Sequence, residues 1–181
     1  IMNHPDSMLR YAELLEEGMY VPKNHSKSVE LIQKAANLNH PESMFRFAGM
    51  LKEGMFVNKD ECMTHELIKR AAYMNHPKSI YEFANHLYNG YCTLKNLELA
   101  KEMYKRAADS KVYEYANEYC RLLRNNLLGP VEKGEIDEAL KCLYFGASNG
   151  SINALLCIGH LCEIDPKFGD SHLFFKLASN Y

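Results

Sequence analysis

The sequence predicts an all-α fold, a right-handed α-solenoid (α/α superhelix) built from five helix–turn–helix repeats. Asn-His-Pro recurs at Asn3-His4-Pro5, Asn39-His40-Pro41 and Asn75-His76-Pro77, 36 residues apart each time. Ala-Ala pairs at Ala35-Ala36, Ala71-Ala72 and Ala107-Ala108 keep the same step, as do Gly18, Gly54 and Gly90. Independent columns held in one phase are the signature of stacked repeats, because a single helix pair cannot bury its apolar face without a neighbour. The expected units are 4–39, 40–75, 76–111, 112–150 and 151–181, forming one solenoid domain over 1–181.

Within a unit, each boundary has a chemical reason. Pro5, Pro41 and Pro77 suit the first turn of a helix, where a missing N–H costs nothing. Gly18, Gly54, Gly90 and Gly129 stand where a left-handed residue closes that helix. Asn24, Asp60 and Asn96 are N-cap residues for the second helix, and Asn39, Asn75 and Gly150 end it. Ala12, Ala48, Ala84, Cys120 and Gly159 form a column of small residues that lets neighbouring backbones approach closely. Tyr11, Leu14 and Leu15, then Leu31, Ile32, Ala35 and Ala36, give the helical stripes of the first unit.

The last two units depart from the pattern. Three residues are inserted around Arg124-Asn125-Asn126, close to one helical turn, so the insertion is expected to lengthen the seventh helix. The fifth unit loses about five residues relative to the pattern, a shortening read from the repeat phase. There Pro166 is expected to end the first helix, and the second helix to run from Asp170 to Asn180.

Composition narrows the function classes. Hydrophobic residues at 47% and charged residues at 24% are ordinary for a globular protein. Twenty-one basic and 23 acidic side chains give a formal charge of −2, without the basic stripe of a nucleic-acid binder. No apolar run approaches the length of a transmembrane helix. Neither nucleic acid nor membrane insertion is expected, and the location expected is cytoplasmic.

The second unit reads Ser43-Met44-Phe45-Arg46-Phe47-Ala48-Gly49-Met50-Leu51-Lys52-Glu53-Gly54, followed by Lys69-Arg70-Ala71-Ala72. The third repeats it as Ser79, Phe83, Ala84, Leu87, Gly90 and Arg106-Ala107-Ala108. This pattern resembles the Sel-like repeat, a relative of the tetratricopeptide repeat, over the whole chain. The resemblance implies a protein–protein interaction scaffold or adaptor that holds a protein or peptide on its concave face, as a module of a larger protein or by itself. A second implied reading is a secreted or periplasmic member of the hydrolase-like, β-lactam-binding type. Serine enzymes of that chemistry use Ser-x-x-Lys with Ser-Asp-Asn and Lys-Thr-Gly, and none of these occurs in the sequence. No catalytic activity, metal or cofactor is expected.

Secreted members of the family place paired cysteines at fixed repeat positions. Here Cys62, Cys92, Cys120, Cys142, Cys157 and Cys162 occupy six different repeat positions, so all are expected to act as small core hydrophobes. Cys157, His160 and Cys162 share a helix, but positions i and i+5 point about 140° apart, which disfavours a common metal. The histidines of the Asn-His-Pro turns are expected about 10 Å apart, the spacing of packed helices, again too far to share one.

In this superfamily the first helix of each unit lines the concave side. Its positions outside the core stripe are the expected contact residues: Leu9, Arg10, Glu13, Phe45, Arg46, Tyr81, Glu82, Asn85, Asn117 and Arg121. Arg10 and Arg46 are expected to face Glu82 and Glu118 as a self-compensating surface. Finally, Ile1-Met2-Asn3-His4-Pro5 matches Asn37-Leu38-Asn39-His40-Pro41 in phase and reads as the tail of a preceding helix. Leu173, Phe174, Phe175 and Leu177 load the last helix with apolar side chains. A piece of a longer solenoid, self-associating through its end helices, is therefore expected.

Overall fold

A computed structural model of the protein describes residues 4–110, 112–125, 127–129, 134–164 and 169–180, with the backbone only at 113, 124, 135, 138, 142 and 164. The described residues form ten helices and no strand. They are α1 (Pro5–Glu17), α2 (His25–Asn37), α3 (Pro41–Glu53), α4 (Glu61–Tyr73), α5 (Pro77–Asn89), α6 (Leu97–Ala108), α7 (Tyr113–Arg124), α8 (Glu135–Ser148), α9 (Ile152–Ile164) and α10 (Ser171–Ser179). Each of the five sequence units supplies two of them, and the fold class is an all-α repeat solenoid. The chain divides into two compact units, 1–95 and 96–181, with the boundary inside the third repeat between α5 and α6.

The helix ends follow the local chemistry. Pro5, Pro41 and Pro77 open α1, α3 and α5. Gly18, Gly54 and Gly90 close these helices in the left-handed region at φ 75°, 71° and 75°, each cap N–H donating to the carbonyl four residues back. The side chains of Asn24, Asp60 and Asn96 accept from Lys27, Met63 and Leu99 N–H, satisfying one of the orphan donors of α2, α4 and α6. Asn39 and Asn75, both at φ 61°, turn the chain from one repeat into the next.

The fourth repeat corrects two expectations. The insertion does not lengthen α7, which stops at Arg124; Asn125 N–H caps Arg121 O, and Leu127 N–H turns back to Leu122 O. Gly129 is left-handed at φ 87° but lies in the following turn, so the helix closes without it. The extra residues widen the connection rather than the helix, a cheap place for them because loop closure grows only slowly with length. Pro166 lies outside the described residues, while Asp170 caps α10 by accepting from His172 N–H.

In the first unit each helix packs on its sequence neighbours, α1 on α2 through to α4 on α5. Ala12, Ala48 and Ala84 are fully buried, flanked by Met44, Phe47, Ile80 and Phe83. Ala35, Ala36, Ala71 and Ala72 do the same for the second helices. In the second unit α6 through α10 pack likewise, with α7 also against α9, around Tyr104, Tyr119, Leu143, Ile158 and Leu161. Gly159 belongs to the same small column, and the ring of Phe175 from α10 fills the space that a side chain there would need.

Candidate functional site

The candidate residues of the first unit are drawn into seams between repeats. Arg46 on α3 donates to Glu13 Oε1 (2.7 Å) and Glu16 Oε2 (2.9 Å) on α1, and Glu16 in turn accepts from the buried Ser28 of α2. Arg10 pairs with Glu13 at 2.8 Å on its own helix. Glu82 on α5 takes Lys52 of α3 at 2.9 Å and the amide of Asn85 at 3.1 Å. These pairings replace the expected opposition of Arg10 and Arg46 to Glu82 and Glu118. The spacing of long side chains explains it: an arginine reaches back one repeat to the acids of the preceding first helix, not forward.

Leu9 is 8% exposed and belongs to the core, so it offers no surface. Phe45 is half-buried beneath His76, with ring centroids 5.5 Å apart, and Lys78 Nζ lies 5.8 Å from its ring. Tyr81 is also half-buried. Between Arg46 and the loop after α3, Glu16, Met50, Met55 and Phe56 wall a cleft of about 430 Å³. Gly49 faces it, and a side chain there would meet nothing within 4 Å.

The Asn-His-Pro histidines have a role the sequence did not reveal. His40 Nε2 lies 3.0 Å from Asp6 Oδ1 and His76 Nε2 lies 2.9 Å from Glu42 Oε2, each acid belonging to the preceding repeat. Because a carboxylate only accepts, each Nε2 donates, and each Nδ1 accepts from a buried serine of its own repeat, Ser43 or Ser79, at 2.8 Å. They are inter-repeat ties rather than metal ligands, and no group of three possible ligands comes together among the described residues.

The second unit places Asn117 and Arg121 on one cleft of about 350 Å³, with Glu114 and Glu118 from α7 and Leu156 and Cys157 from α9. Arg121 is exposed and makes a two-pronged pair with Glu118, at 2.8 and 2.6 Å. The cleft wall is mainly apolar and Asn117 lines it; the Oδ1 of Asn117 is itself buried, with no hydrogen-bond donor among the described residues. Leaving such a carbonyl oxygen unsatisfied costs about 1–3 kcal/mol. Cys157 Sγ lies 4.0 Å from the Asn117 backbone oxygen.

The cysteines divide into two groups. Cys120 and Cys162 are buried as expected, and Cys157 is half-buried. Cys62 and Cys92 are exposed, which corrects their assignment as core filler: they sit on the first turn of α4 and in the loop after α5, where neither helix has an apolar face to cover. Cys142 lies outside the described side chains.

Paired helices repeating every 36 residues, with seams built from first-helix side chains, define a helical-repeat scaffold. Residues 5–40 and 77–112 match the family model of the Sel1 repeat. The chain carries Sel1 repeats in these two stretches, and repeats of this kind commonly mediate protein–protein interaction. No curated protein matches the sequence. Among solved structures, it is similar to a Sel1 repeat protein from Oxalobacter formigenes, at 20% identity and a TM-score of 0.77, over 98% of this chain and 73% of that one. It is also similar to a protective antigen of uropathogenic Escherichia coli strains displaying an SLR fold, at 14% identity and a TM-score of 0.77, over 98% of this chain but 38% of the other. An immunity protein from Pseudomonas aeruginosa aligns at 17% identity and a TM-score of 0.51, over 98% and 69%. No helix among the described residues is long and apolar enough to cross a membrane.

Proposed function

We propose that the chain is a non-catalytic interaction module that takes a partner protein or peptide on the face built by the first helices of its repeats. The observation that carries this reading is the α7–α9 cleft, where an apolar wall is set among the polar side chains of Asn117, Glu118 and Arg121. Leu156, exposed in that wall, suits a small apolar side chain of a bound peptide. Arg121 and Glu118 stand at the rim, where charge selects orientation more than it adds affinity.

In the first unit the first-helix candidates are Arg10, Glu13, Phe45, Arg46, Tyr81, Glu82 and Asn85. Glu13, Arg46 and Glu82 are already committed to seams, so a partner would gain from the apolar hollow around Gly49 and Met50 rather than from Arg46. The test is to pan the whole chain against a random peptide library and to map the selected peptides by amide shift perturbation. Perturbations centred on Asn117, Arg121 and Leu156 are expected, with affinity about tenfold lower in Asn117→Leu, as for a hot-spot residue. Selected peptides that bind a folded Asn117→Leu variant undiminished would place the site elsewhere.

A further inference from the structure

We propose that Cys62 and Cys92 are a modification site: an exposed thiol pair that a small-molecule disulfide oxidises to a cross-link across the seam between the second and third repeats.

The geometry rests on a feature that recurs in the first unit. After α1, α3 and α5 the loop carries a non-glycine residue in the left-handed region: Tyr20 at φ 64°, Phe56 at φ 60° and Cys92 at φ 49°. These three lie 36 residues apart and occupy one repeat position. Left-handed backbone is costly for a residue with a side chain, and here it turns the side chain toward the preceding repeat. Phe56 shows where it lands: its ring stacks on His25, the first residue of α2, with centroids 4.5 Å apart and planes 11° apart. At the next seam Cys92 replaces the phenylalanine and interacts with Cys62, the second residue of α4, one position beyond Glu61, the equivalent of His25.

Two independent facts therefore agree. The loop position reaches the first turn of the preceding second helix, and at this one seam a cysteine stands in the loop and another in that first turn. Both are also exposed, unlike the buried Cys120 and Cys162. The pair is 30 residues apart in sequence, so it escapes any search at the repeat period.

The chemistry balances as thiol–disulfide exchange. One cysteine, as thiolate, attacks a sulfur of the oxidant and expels one thiol, leaving a mixed disulfide. The second cysteine attacks that bond, expels the second thiol and closes Cys62–Cys92, so two protein thiols are oxidised as one small disulfide is reduced. Whichever cysteine attacks first, Cys92 must act once as thiolate. Partial burial pushes its pKa up, and the contact with Cys62 and the carboxylates of Glu61 and Asp60 push it the same way. Exchange is accordingly slow near neutrality and accelerates in alkali. A cross-link there ties the α5 loop to α4 and opposes local opening of the seam, without touching the first-helix face.

The experiment incubates the whole chain with oxidised glutathione at pH 8.5, counts the free thiols and maps peptides by mass spectrometry. We expect two of the six thiols to disappear into a single Cys62–Cys92 linkage, reversed by dithiothreitol. The oxidised protein should melt a few degrees higher than the reduced one, as a loop of this length is constrained in the unfolded chain. In Cys62→Ser and Cys92→Ser the linkage should vanish, and the remaining cysteine of the pair should hold a glutathione that it cannot expel. Melting of both variants under reductant verifies that they fold. Glutathione persisting on both cysteines of the wild-type chain, linkage to other cysteines, or six intact thiols would each overturn the proposal.

Discussion

His65 on α4 and His86 on α5 face each other through their Nδ1 atoms at 3.2 Å, buried within the first unit. One ring must donate and the other accept, so a single proton occupies the gap, and protonating the accepting nitrogen would break the bond. Phe83 lies against His65, with centroids 5.8 Å apart, and Tyr91 against His86 at 4.6 Å.

Burial pushes the pKa of both histidines down, His86 to about 4. Glu82 opposes the shift at His86, while His65 and Lys52 add to it; Lys69 lowers His65 and Glu66 opposes. With the folded pKa depressed, the unfolded chain binds more protons as pH falls below 6.5. Stability is therefore full above that value and is lost progressively down to about pH 4, by roughly 2–3 kcal/mol. Urea melts across this window should show the loss, and His86→Leu should flatten it. An acid slope unchanged in His86→Leu would remove the pair from the explanation.

Gly159→Ala should destabilise the second unit, although alanine in a helix normally gains about 1 kcal/mol over glycine. A Cβ at 159 would lie 2.6 Å from Phe175 Cε1 and 2.9 Å from Cδ1, so the ring must move off α9. We expect a net loss of about 1 kcal/mol, in the range of overpacking. The same change made in a Phe175→Ala background should raise the melting temperature instead. Equal effects in both backgrounds would mean that the ring gives way at no cost.

Arg46→Met should cost about 1–2 kcal/mol, because it leaves Glu13 and Glu16 without the cation that joins them, in a seam three-quarters buried. Screening of the two acids left unpaired should make the loss smaller at 1 M salt than at about 0.05 M. A melting curve identical to the parent at low salt would show that the two ion pairs contribute nothing net.

Much of the fold was legible because it depends on local backbone chemistry. A proline at N1, a left-handed glycine or asparagine and an N-cap side chain each act within a few residues of themselves, so Pro41, Gly54, Asp60 and Asn75 could be placed from sequence. The candidate face was less so. Leu9 and Phe45 share a column, yet one is core and the other half-buried, because their surroundings come from other helices. His65 and His86 stand in columns held by Val29 and Met50, both buried. Two histidines in apolar columns were a signal, but their 21-residue separation matches no period, and only the packing of α4 on α5 pairs them. Cys62 and Cys92 escaped for the same reason, and Tyr20, Phe56 and Cys92 gave no glycine to announce a left-handed turn.

The histidine ties also amount to a rule of succession. Each tie needs an acid at the second helical position of one repeat and a histidine just before the first helix of the next, as Asp6 has His40 and Glu42 has His76. The first two repeats carry the acid, and the second and third carry the histidine, so duplicating the second repeat would extend the array with every tie intact. The third carries Lys78 at the acid position, and the fourth begins with Val112 where a histidine would stand. Grammar of that kind makes the early repeats interchangeable parts and the third a terminator of the motif. A chain rebuilt with Lys78→Glu and Val112→His would offer the next junction the same acid and histidine.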